Sequence, residues 1–185
     1  MSENESRPCR EFARALLMLR TRGSANCPLM QYVLKRYGRA TSENINPLGA
    51  QMRTFHFYMW CARRVIFSYC CDHSAYSHIL IAYDDEVRGV VCQLCQGDES
   101  CAQSGLGVLQ QVFADFDEAI KRDDHPGWVH WLGSSVLDYI NDGPSDRGVD
   151  PVDWMLASTL PAKVLTAVHE ESKPLLQKHL GIRAL

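Results

Sequence analysis

The chain has 185 residues, 46% of them hydrophobic and 22% charged, with a formal net charge of −3. This composition excludes a disordered chain and supplies enough apolar material for one sizeable core. A single helical domain over residues 1–185 is therefore expected, with 1–6 and 183–185 frayed. The acidic, polar start MSENES lacks the uninterrupted apolar run of an export signal. Arg63 and Arg64 interrupt the most apolar window, FHFYMWCARRVIFSYCC, so neither a signal peptide nor a membrane span is expected, and the setting is expected to be intracellular.

The charge is unevenly spread. Residues 1–64 hold eleven Lys and Arg against four Asp and Glu, and ten of those eleven cations are Arg. A basic third followed by an acidic remainder admits a phosphate-binding face, an internal pairing of the two parts, or head-to-tail self-association into a homo-oligomer.

The first periodic segment, SRPCREFARALLMLRTRG, reads as a helix capped by Ser6 and stopped by Gly23, with Phe12, Ala15, Leu16 and Leu19 on its apolar face. Arg7, Arg10 and Arg14, three and four residues apart, form a cationic stripe opposite. PLMQYVLKRY reads as a short helix ended by Gly38. The longest helix is expected at 47–70, where Leu48, Met52, Phe55, Met59, Ala62, Ile66 and Tyr69 recur at alternating spacings of four and three. Residues 77–96 fit a helix through Leu80, Tyr83, Val87, Val90, Val91 and Leu94; alternatively, HILIAY and RGVVCQL make a small β-hairpin at 78–95 around DDEV. Helix is preferred, since Gly89 costs such an element only about 1 kcal/mol. A loop, QGDESCAQSG, then leads into LGVLQQVFADFDEAIKR, a helix burying Leu109, Val112, Phe113, Phe116 and Ile120. GWVHWLGSSVLDYINDG follows as another, and an exposed loop spans 141–150. Asp150 caps DPVDWMLASTL, Pro161 bends or ends it, and two short helices close the chain, the last capped by Ser172. The expected fold is all-α: a compact bundle of seven or eight helices around the long central helix at 47–70.

The stretch from Cys70 to Cys101 holds five of the eight cysteines and two histidines. Cys92, Cys95 and Cys101 form C-x2-C-x5-C, and zinc needs four such donors converging tetrahedrally. His73 is the preferred fourth donor for a structural zinc staple, with buried or surface thiols as the plainer reading. Cys9, Cys27, Cys61 and Cys70 read as small core residues, and reduced thiols are the default for a chain of this size. No G-x-S-x-G, H-E-x-x-H or G-x-x-x-x-G-K-[ST] pattern is present, and no residue set nominates a catalyst. A non-enzymatic helical interaction or regulatory protein of adaptor type follows, with a protein partner and with Trp128 and Trp131 as partner-contact residues. The alternative is a nucleic-acid-binding protein using Arg7, Arg10, Arg14, Arg20, Arg22, Arg36 and Arg39 on phosphate, although a pI near 6.1 opposes a large electrostatic footprint. A thiol- or metal-dependent enzyme is the minority reading.

Overall fold

The computed structural model describes residues 3–23, 28–37, 47–121, 128–143 and 150–183. Their structure is all-α, with eight helices among the described residues: α1 (Glu3–Gly23), α2 (Pro28–Tyr37), α3 (Pro47–Cys70), α4 (Tyr76–Leu94), α5 (Glu99–Ile120), α6 (Trp128–Asn141), α7 (Pro151–Ala157) and α8 (Leu160–Leu180). The long helix occupies the span its periodicity indicates. The hairpin at 78–95 does not form. Ile79, Tyr83, Val87 and Val91 recur at a spacing of four and, with Ala82, are buried along one face of α4, while Gly89 faces open space.

Two compact units divide the chain, and neither is contiguous in sequence: one comprises 1–22, 59–110 and 167–185, the other 23–58 and 111–166. In the first, α1 buries Cys9, Phe12, Ala13, Leu16 and Leu17, a stripe turned slightly from the expected one because Ala13 and Leu17 replace Ala15 and Leu19. Tyr83 is fully buried, and its hydroxyl donates to the Met59 carbonyl at 2.6 Å, which satisfies the one polar atom it carries into the core. Tyr69 on α3 lies against His169 on α8 with ring centroids 5.5 Å apart. Arg63 stands 4.8 Å over the Phe67 ring, which in turn meets Tyr76.

In the second unit, Phe57, Phe116 and Tyr139 make successive edge-to-face contacts at 5.6 and 5.8 Å, joining α3, α5 and α6. Leu132, Val136, Leu137 and Ile140 bury the inner face of α6. Asp150 caps α7 as expected: its carboxylate accepts from the Val152 and Asp153 backbone N–H groups, and Pro151 occupies the first turn.

Several boundaries differ from the sequence reading, each for a local reason. Leu48 is 65% exposed, whereas Phe57 to Ala62 are all buried; α3 is enclosed on every side there, so no single seam describes it. Helix α1 begins at Glu3, ahead of Ser6. Helix α5 begins at Glu99, because the Asp98 carboxylate accepts from the Cys101 N–H at 3.0 Å and starts the helix where a loop is expected. Pro161 opens α8, where its missing N–H costs nothing. Helix α8 then runs unbroken through Pro174, and Ser172 bonds back to the His169 carbonyl at 2.7 Å as an interior residue. Of the loop at 141–150, residues 144–149 lie outside the described residues.

Candidate functional site

Helix α7 presents the most concentrated apolar surface. Val152, Met155 and Leu156 are 59, 49 and 61% exposed. Their spacing of three and one places them on one face, while Ala157 and Ser158 are buried behind them. The helix is clamped from that buried side. Ser158 donates its hydroxyl to the Met155 carbonyl at 2.8 Å; with its only hydrogen so used, it accepts from Nδ1–H of His130 on α6 at 2.7 Å. Gly133, one turn further along α6, lets the Ser158 backbone approach closely enough that a Cβ would overlap its carbonyl. The apolar face is thus held outward by an anchored backbone. Trp131, expected as a partner contact, is 49% exposed on α6; the side chain of Trp128 lies outside the described residues.

The cysteine-rich stretch is separated by its own helix. His73 sits in the turn before α4, where its Nδ1 accepts from the Ala75 N–H at 3.1 Å. Cys92 and Cys95 close the same helix. From Tyr76 to Cys92 an α-helix rises about 24 Å, so one ion cannot touch both His73 and the distal thiols, whose zinc bonds are about 2 Å long. Among the described residues no group of three or more His, Cys, Asp or Glu side chains converges as a metal site. Cys95 and Cys101, with Cα atoms 5.8 Å apart, are joined in a disulfide. This departs from the reduced-thiol default: the turn of α4 into α5 folds the chain back within bonding range. Cys92 remains a thiol and is half-buried. Cys9, Cys61 and Cys70 are buried core residues, burial pushes the Cys70 thiol up to about 11, and Cys71 is exposed. Cys27 lies outside the described residues.

A polar pair inside the second unit has no signal in the sequence. Nδ1 of His56 and the Tyr139 hydroxyl are 2.7 Å apart. Burial, aided by the Arg53 charge, brings His56 down to about 4, and burial takes Tyr139 up to about 12. Both shifts favour the neutral forms, so the pair shares a hydrogen bond at neutral pH and has no tendency to pass a proton. Arg53 beside them is ion-paired with Asp142 at 2.8 Å. Only the 83-residue separation hid this pairing.

The cationic stripe on α1 is largely committed to carboxylates. Arg7 pairs with Glu11 at 2.8 Å, and Arg14 pairs with Glu86 on α4 at 3.0 Å, using two nitrogens on two oxygens. Arg10 is exposed on the same helix. The side chains of Arg20, Arg22 and Arg36, and the whole of Arg39, lie outside the described residues. No helix among the described residues is long and apolar enough to cross a membrane. Comparison with protein-family models, with curated proteins and with solved structures finds no match to this chain.

Proposed function

We propose that the chain is a non-enzymatic helical interaction protein, regulatory or adaptor-like, that docks a protein partner on α7 in an intracellular setting. The observation that carries this reading is the outward face of Val152, Met155 and Leu156. Three large apolar side chains on a seven-residue helix, rigidly backed by the Ser158 and His130 contacts, are costly to leave in water and suited to a partner's apolar side chains. Removing them should cost binding while leaving the fold intact. The experiment is affinity capture with wild-type protein and with Met155→Glu/Leu156→Asp, both checked for equal melting temperature. Partners retained by the wild type and lost by the double variant support the reading; an unchanged captured set refutes it.

The nucleic-acid alternative draws on Arg10 and on side chains outside the described residues, since Arg7 and Arg14 already face carboxylates. Binding that weakens steeply with added salt is its signature. A zinc staple would require reduction of Cys95–Cys101, because zinc binds thiolates. Metal analysis of the reduced protein tests that reading.

A further inference from the structure

We propose that Cys92, Cys95 and Cys101 form a thiol–disulfide exchange site, in which Cys92 displaces Cys101 from Cys95 and the released Cys101 reacts with a small-molecule disulfide to become a mixed disulfide. The three cysteines lie on the backbone of one corner, where α4 turns into α5. Cys95 closes α4 and is bonded forward to Cys101 in the first turn of α5. Cys92 lies one turn back on α4, and residues three apart on a helix have Cα atoms about 5 Å apart, inside the range a disulfide accepts. Cys95 can therefore bond in either direction, back to Cys92 or forward to Cys101.

The corner keeps its shape in either pairing. Its backbone is set by bonds that use no sulfur: Cys95 N–H to the Val91 carbonyl, Gly97 N–H to the Cys92 carbonyl, and Ala102 N–H to the Asp98 carbonyl, at 2.9–3.0 Å. Gln96 and Gly97 make the left-handed turn between the helices, and the Asp98 carboxylate caps α5. The direction of exchange follows from where the displaced sulfur is left. Cys101 leaves as a thiolate in the first turn of a 22-residue helix, whose dipole favours negative charge. Cys95, if displaced, would leave one at the C-terminal end of α4. Glu99 on that turn and the Asp98 carboxylate, bonded to the Cys101 N–H at 3.0 Å, oppose a thiolate on Cys101, and the helix dipole acts against them. Cys101 is also the exposed member of the pair, and Cys95 is half-buried.

The exchange within the chain needs no oxidant, and a small-molecule disulfide is the oxidant of the uptake that follows. Cys92 gives its proton to water, its thiolate attacks the Cys95 sulfur, the Cys92–Cys95 bond forms and the Cys95–Cys101 bond breaks, and the electron pair leaves on Cys101. The Cys101 thiolate then attacks a small-molecule disulfide, forming Cys101–S–S–R and releasing R–S⁻.

The test uses oxidised glutathione on the unreduced full chain carrying Cys27→Ser/Cys71→Ser, which removes Cys27 and the one exposed free thiol among the described residues. Adducts are mapped by proteolysis and tandem mass spectrometry. Glutathione on Cys101 with a Cys92–Cys95 bond is expected, together with loss of the Cys101 adduct when Cys92→Ser is added. Cys92→Ser keeps the Cys95–Cys101 bond, so a failure to fold is distinguished by its melting temperature. An adduct on Cys92 with Cys95–Cys101 intact, an unmodified Cys101, or equal Cys101 modification in the Cys92→Ser protein would overturn the proposal.

Discussion

Replacing Gly133 by alanine tests the anchoring of α7 directly. In an ordinary helix interior the change gains about 1 kcal/mol through reduced backbone entropy and better propensity. Here the added Cβ would overlap the Ser158 carbonyl oxygen and stand 2.6 Å from its carbon and 2.8 Å from its Cα. The obstruction is backbone, and that backbone is held by the Ser158 N–H on the Trp154 carbonyl at 2.9 Å and by the His130 contact at 2.7 Å. Relief requires α6 and the α7–α8 corner to separate by more than about 1 Å, giving up close packing and one or two hydrogen bonds. Against the propensity gain, the net loss is about 3 kcal/mol, which lowers the melting temperature of a chain this long by about 6–12 °C. Gly89→Ala is the internal control, since its Cβ meets nothing within 4 Å; it should raise the melting temperature by about 2–4 °C. Thermal unfolding followed by circular dichroism reads both. A Gly133→Ala protein melting at or above wild type would refute the close approach.

Acid should destabilise the fold through His56. Its folded-state value of about 4 lies below the ordinary 6.5, so the unfolded chain binds the extra proton first. Stability is then full above about pH 6.5 and falls as pH drops toward 4, by about 2–3 kcal/mol after allowance for partial exposure. His169, lowered chiefly by burial and also by Arg64, adds in the same direction. Urea midpoints across this range should show the slope, and His56→Gln should flatten it. Tyr139→Phe removes the partner of His56 Nδ1 at 2.7 Å and should cost about 1–3 kcal/mol in the same urea assay. Asp150→Ala removes both acceptor contacts that start α7 and should cost about 1 kcal/mol of stability. Cys95→Ser/Cys101→Ser opens a loop of sequence separation 6 and should lower unfolding stability by about 2 kcal/mol in the chain-entropy account. A midpoint unchanged from the oxidised wild type would show that the closed loop contributes nothing.

Element type was legible wherever apolar spacing was sustained, as at α3, and wherever capping chemistry was explicit, as at Asp150. Two signals were not legible in the places they take, one at the start of a helix and one inside it. Pro161 opens α8, and Pro174 sits within it while Ser172 bonds back to His169. A proline marks a boundary only when nothing else holds the turn, and tertiary packing of Val164, Val168 and Leu176 holds this one. The start of α5 was legible in principle from Asp98 followed by Glu99, but the glycines at 105 and 107 drew the boundary later. The exposed face of α7 was hidden for another reason. Seven residues give no clear apolar face, and the position of Ser158 against α6 decides which side of so short a helix is turned away from water.

The cysteine-rich stretch shows how one local choice controls a whole site. A hairpin over 78–95 would return the chain to its start and set Cys92 and Cys95 beside His73 and His78, which is the arrangement a four-donor metal site needs. A helix over the same residues carries the chain away at 1.5 Å per residue, leaving His73 at one end and the thiols at the other. The burial of Ile79, Tyr83, Val87 and Val91 along one face favours the helix, and with it the shared donor set is dismantled. The turn after Leu94 gathers what remains: three cysteines within ten residues, two already bonded and one a turn away. Ligand spacing in a sequence therefore specifies a metal site only together with the element that separates the ligands. At this corner that element leaves a chemistry of sulfur with sulfur.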